Sequence, residues 1–238
     1  MLSLIQSELR MLVRNRLVAV CAILIPLGFG AFLIFSPPGG PADQAGGTIA
    51  TLQILIMVAM GVYVTGTTTL AARRQTLMLK RLRSGAASDT TIIAGLVLPV
   101  VIVSVVQIAV ILAILSATSS APENAPLLIL AVLLTELMFV GFALATAGVT
   151  NSPEHAQVTT LPLFFLVLGV AFWVMFTGTE ELGWLKRALP GGGLAELIGV
   201  AWNGGDLSNV VSLIVPSVAW AALAAYFART MFRWEPRS

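Results

Sequence analysis

The side chains best suited to covalent chemistry are scarce in this sequence: one histidine, one cysteine and two lysines among 238 residues. His155 follows Glu154 in a short polar stretch, 151–157, where a lone histidine is more often solvated or capping than a general base. A nucleophile–base pair needs a reactive Ser or Cys beside it, and no residue marks one. Cys21 lies inside an apolar run, reads as a small apolar filler, and has no second cysteine to pair with. One Cys and one His cannot build a zinc centre by themselves. Lys80 and Lys186 are each followed by Arg, and neither follows a Gly-rich turn, so no phosphate-binding loop for ATP is present. These residues point away from an enzyme and away from a metal or cofactor held by this chain.

The cations are placed for a different purpose. Five of the thirteen Lys and Arg residues fall between Arg73 and Arg83, with long uncharged runs on both sides. The chain is 58% hydrophobic and 10% charged, with a mean hydropathy of +0.96. A soluble domain carries about a quarter charged residues, so a membrane protein is expected. The net charge of +2 does not imply nucleic acid, because the cations lie in gaps between apolar runs rather than over one surface.

About 20 apolar residues cross a bilayer core. Six runs meet that length, giving expected spans at 17–36, 48–72, 91–118, 126–150, 157–178 and 207–230. Helices are implied because these runs do not alternate as barrel strands do. With the N-terminus inside, Arg10, Arg14, Arg16, the five cations of 73–83, and Arg229, Arg233 and Arg237 make eleven cations inside. Only Lys186 and Arg187 fall outside. That asymmetry sets both termini in the cytoplasm. The apolar part of residues 1–45 is longer than the 7–15 residues of a cleaved signal, so it reads as a retained helix. Residues 1–16 place Leu2, Ile5, Leu9, Leu12 and Val13 on one helical face, as an interfacial helix would; a plain cytoplasmic extension of the first span is the other reading. The segment 179–206, with Trp184, Pro190, three consecutive glycines and Trp202, is too short and polar for a pair of spans. It reads as short re-entrant or interfacial helices on the outer side.

Three features can carry function. In 73–83, Met78, Leu79 and Leu82 share a charge-free arc, followed by the turn 84–87 and a capping Ser88 or Asp89. Two readings stay level here: a hairpin that engages a partner protein, or a flank bound to anionic lipid headgroups. Glu136 interrupts the fourth run, and a carboxylate at that depth should face a cavity or a neighbouring helix. It reads as a translocation or proton site, or as a polar contact with Gln53, Gln107 or a Thr. The pairs Gly141/Ala145, Ala143/Ala147, Ala221/Ala225 and Ala224/Ala228 permit close helix approach.

These stretches resemble the permease subunit of ABC-2 type ATP-binding-cassette exporters. SELRMLVRNRL resembles the family's interfacial helix. RRQTLMLKRLRSGAASDTTIIAG resembles its first cytoplasmic loop. NSPEHAQVTTLPLFF and TEELGWLKRALPGGGLAEL resemble the segment around its fifth helix, with Glu154, Ala156, Gln157, Leu189 and Pro190 at matching places; FRWEPR is like the tail of actinobacterial members. The resemblance implies one all-α membrane domain over 1–238, with the ABC-2 fold of type V exporters. It implies a coupling loop, 73–90, in which Lys80, Arg81, Arg83, Ser84, Gly85, Ser88, Asp89 and Thr90 meet the ATPase. A second cytoplasmic loop would hold Glu154, His155 and Gln157. ATP and Mg would be bound by two copies of a separate ATP-binding subunit, and the permease would pair with a second permease subunit, a homodimer in preference to a heterodimer. The expected setting is a bacterial cytoplasmic membrane, and the expected cargo an amphiphilic drug-like compound, lipid or peptide. An ion- or proton-coupled transporter or channel that works without an ATPase is the alternative, resting on Glu136.

Overall fold

The computed structural model of the chain describes residues 6, 10, 20, 24–36, 45–85, 88–205 and 207–234. The expected interfacial helix, 1–16, lies outside the described residues apart from Gln6 and Arg10. So do Cys21, most of the first half of span 17–36, and Ala86 and Ala87.

Every regular element among the described residues is helical. Five of the helices are long and apolar enough to cross a membrane, and α1 (Ile25–Phe35) is a shorter apolar helix. α2 (Ala45–Gln75) is apolar on all sides through its first half and is correspondingly the buried centre of the bundle, with Ile54, Leu55, Met57, Val58 and Ala59 fully covered. Its middle, Ala59–Val64, widens to a π-helix, and the Thr65 hydroxyl donates to the carbonyl of Met60 at 3.0 Å. A six-residue helix, α3 (Met78–Arg83), follows a break at Leu77, whose φ of 56° is left-handed. The basic stretch is therefore not one continuous helix. A non-glycine residue in that region ends one helix and re-aims the next.

α4 (Asp89–Thr118) starts at Ser88, whose side chain accepts from Thr91 N. Its 30 residues span about 45 Å, longer than a hydrocarbon core of about 30 Å. α5 (Ala125–Val149) is capped by Asn124 and α6 (Pro153–Thr177) by Ser152. The connections 119–124 and 150–152 are short, so α4, α5 and α6 run antiparallel. α9 (Val210–Met231) returns alongside α5 in the most extensive helix pair of the bundle. Small residues make that pairing close. A Cβ added at Gly141 would sit 2.7 Å from the Ala224 backbone, and one at Gly148 would meet the Met231 carbonyl. Ala224 and Ala228 are buried in this seam, whereas Ala225 on the same helix is exposed.

Between α6 and α9 the chain dips back into the bundle. α7 (Gly183–Ala188) and α8 (Gly192–Asn203) meet at Gly191, where φ is +90° and Val167 leaves no room for a side chain. Val167 lies ten residues, about 15 Å, below the end of α6. That depth is about half a bilayer core. α8 packs on α2, α5, α6 and α9, and two backbone carbonyls and a side chain at its end are bonded to neighbouring segments. Ala201 O and Trp202 O accept from Asn124 N (2.9 Å) and Glu123 N (3.1 Å), and Asn203 Oδ1 accepts from Gly47 N (2.9 Å). Non-helical backbone inside a membrane is tolerated only with such partners.

Candidate functional site

One end of the bundle gathers Arg73, Arg74, α3, the start of α4, the start of α6 and the end of α9. α3 is too short to hold its shape alone, so its position comes from what it touches. Leu79 is buried against Leu70, Ile92, Leu96 and Ala147, and Leu82, Phe232 and Trp234 pack on the same cluster. Lys80, Arg81 and Arg83 are left facing out. Arg83 Nε donates to Asp89 Oδ1 at 3.2 Å, an ion pair about half exposed on each side and worth little in isolation. The turn is tied by Ser84 Oγ donating to Arg81 O (2.8 Å) and Gly85 N to Leu82 O (3.2 Å). The hydroxyls of Ser88, Thr90 and Thr91 bridge at 2.8–3.0 Å. The structure thus brings Lys80, Arg81, Arg83, Ser84, Gly85, Ser88, Asp89 and Thr90 into one contiguous, mostly exposed knuckle.

Glu154, His155 and Gln157 lie at the same end but not in a loop. They occupy the first turns of α6, all exposed, with His155 N bonded to the capping Ser152. Pro153 pre-sets the helical φ at this start, which is the signal that the helix opens before residue 157.

Arg74 is nearly fully buried and donates from NH1 to Gly148 O at 3.0 Å, which pins α2 to the end of α5. Charge counting treats Arg74 as one more exposed cation. Its small neighbour Gly148, which leaves a carbonyl reachable, is the only hint that it turns inward.

Glu136 is elsewhere, midway along α5 and 4% exposed. Ser104 Oγ donates to its Oε1 at 2.7 Å, and Oε2 has no hydrogen-bond partner among the described residues. The partner is neither of the glutamines expected from sequence. Ser104 shares a face of α4 with Gln107, three residues on, and faces Gly61 in the π-turn of α2. That i, i+3 spacing is the signal that points to it.

At the far end, a cleft of about 400 Å³ opens between α2, α6 and α8, with Thr48, Thr51, Thr179, Glu196 and Asn203 among its lining. Arg187 grips Glu196 with two hydrogen bonds, Nε to Oε2 at 2.8 Å and NH2 to Oε1 at 2.6 Å, and Thr179 Oγ1 donates to Oε1 at 3.1 Å. The hydrogen bond to Glu196 pushes the Arg187 pKa above its ordinary value. Lys186 is buried beside it, donating to Thr177 Oγ1 (2.8 Å) and Gly178 O (2.7 Å) with its ammonium 5.1 Å from the Trp173 ring centre. Lys186 locks the dipping hairpin to the end of α6 and Arg187 ties α7 to α8, roles that charge counting along the chain does not reveal.

Among the described residues no three His, Cys, Asp or Glu side chains converge as metal ligands would. The arrangement is a buried bundle with a basic knuckle at one end and a locked hairpin at the other. A comparison with curated proteins finds no match. The family described as ABC-2 family transporter protein matches residues 31–226, most of the chain. The chain belongs to that family and is a multi-pass membrane protein, the permease subunit of an ABC transporter that works with an ATP-binding subunit.

Proposed function

We propose that this chain is the membrane half of an ATP-driven exporter in a bacterial cytoplasmic membrane, moving an amphiphilic drug-like compound, lipid or peptide outward. In this reading the chain has six spans, the first being 17–36, and both termini are cytoplasmic. Two permease subunits, identical rather than different, join two ATP-binding subunits that hold ATP and Mg. The knuckle of Lys80, Arg81, Arg83, Ser84, Gly85, Ser88, Asp89 and Thr90 presses on the ATP-binding subunit, and Glu154, His155 and Gln157 border the same contact.

The observation that carries the reading is Leu79. It anchors a helix too short to stand alone into the ends of α2, α4 and α5 while the cations beside it stay exposed. A push on that surface is passed to three long helices through packed side chains. The test uses the complex with its ATP-binding subunit, reconstituted in vesicles. The double substitution Lys80→Glu and Arg81→Glu should cut ATP-driven transport by about tenfold, the usual size of a coupling free energy, while the ATP-binding subunit alone hydrolyses ATP as before. Unchanged transport removes the assignment.

The Oε2 of Glu136, which has no hydrogen-bond partner among the described residues, favours a second reading, an ion- or proton-coupled carrier that needs no ATPase. Transport by the purified permease without ATP, abolished in Glu136→Gln, would establish that reading instead.

A further inference from the structure

We infer that the segment following α9 is a clasp, in which Phe232 and Trp234 hold α3 in place through Arg83. α3 hangs from α2 by Leu77 in a left-handed conformation, and its six residues lack the length to fix their own direction. Leu79 fixes one side. On the other side, Trp234 receives the Arg83 guanidinium 5.0 Å from its ring centre, and Phe232 meets Trp234 edge to face at 5.4 Å. Both rings lie on the Leu70, Leu79, Ile92, Leu96 and Ala147 cluster.

The clasp is itself seated. Phe232 N bonds to Ala228 O at 3.1 Å as α9 ends, and the missing side chain of Gly148 lets the Met231 carbonyl and the Phe232 Cα close on α5. Gly148 O in turn holds Arg74 of α2. Arg83 is thus held twice, by Asp89 at the start of α4 and by Trp234 beyond the end of α9. Trp234 and Phe232 are positioning residues: they tie the knuckle to the end of α9, a helix that α3 does not otherwise join. On the proposed coupling role, which this consequence rests on, the clasp makes the knuckle move with the α5–α9 pair rather than hinge freely at Leu77.

The clasp can be tested without that role, by trypsin cleavage after Lys80 and Arg81 in permeabilised membranes containing the full chain. Cleavage there follows the population in which the helix has swung open. Arg83→Gln removes the cation from the ring and should raise the cleavage rate about two- to fivefold, the worth of an exposed cation–π contact. Trp234→Ala should raise it at least as much, and Trp234→Phe should stay near the original rate. In the double variant of Arg83→Gln and Trp234→Ala, the effects should not multiply. Rates unchanged in Arg83→Gln, or effects that multiply in the double variant, overturn the clasp. Should Trp234→Ala also speed cleavage after Arg187 at the far end, the comparison of Arg83→Gln with Asp89→Asn, which breaks only the ion pair and leaves both rings in place, decides: the clasp predicts faster cleavage in Arg83→Gln, and equal rates in the two overturn it.

Discussion

Ser104 donates its hydroxyl to Glu136 Oε1 across 2.7 Å, joining α4 to α5 near the middle of two bilayer-length helices. With Glu136 almost fully covered, that bond is the only one its carboxyl makes among the described residues. Ser104→Ala should therefore lower stability by about 1–3 kcal/mol, the cost of a buried polar group left unsatisfied. Glu136→Gln keeps an acceptor for Ser104 and should cost less. Thermal unfolding of the two variants in detergent gives the order, and equal midpoints would show that the bond contributes nothing.

Gly141 lies where α5 and α9 come closest, and a Cβ there would be 2.7 Å from the Ala224 carbonyl carbon. Gly141→Ala should destabilise by about 1–3 kcal/mol through overpacking. This reverses the ordinary gain from replacing a helical glycine by alanine. Gly169, on α6, has open space around its missing side chain, so Gly169→Ala should be neutral or mildly stabilising. The contrast between the two in a thermal unfolding assay isolates packing from helix propensity.

Arg187 and Glu196 fasten α7 to α8 at the rim of the far-end cleft. Arg187→Lys keeps the charge but loses the two-point grip and should cost about 1 kcal/mol in a partly exposed pair. The pH dependence has a definite sign. The folded pKa of Arg187 is raised, so its contribution is complete below the unfolded value and is lost only as pH rises through the folded one. Since arginine keeps its charge far above neutral pH, and a lysine keeps its own through pH 9, unfolding midpoints of the original and Arg187→Lys chains, compared between pH 6 and pH 9, should differ by a constant amount. A gap that closes with rising pH in that window contradicts the pairing as the cause.

What could be read from residue types is what depends on local pattern. Apolar length without alternation implies membrane helices. Ser88 ahead of Asp89 implies a helix start, and a carboxylate at 136 implies a turn toward protein rather than lipid. What could not be read depends on partners distant in sequence. Arg74 and Lys186 look like any exposed cations until Gly148 O and the end of α6 are brought to them. Leu77 carries no sign of a left-handed bend, because the bend is imposed by Leu79 seeking the cluster at Leu70 and Ile92. His155 moved from loop to helix because Ser152 and Pro153 start α6 early.

Lys186 makes a direct test of that last kind of contact. Its ammonium is buried and held by Thr177 Oγ1 and Gly178 O. Lys186→Met preserves the length of the chain but leaves both acceptors unmatched, and should cost about 1–3 kcal/mol. Trypsin cleavage after Arg187 should accelerate as the hairpin loosens, while cleavage after Arg81 at the opposite end stays unchanged; equal acceleration at both ends would mean general unfolding rather than a local lock.

On the proposed function, the exposed knuckle beside Leu79 is where the ATP-binding subunit docks. A photo-crosslinking side chain placed at Arg81, and separately at Trp184 on the far end, measures this directly in the assembled transporter; both positions are exposed. A crosslink to the ATP-binding subunit is expected from position 81 and none from position 184. A crosslink from 184, or none from 81 in a complex that still hydrolyses ATP and transports, would contradict it.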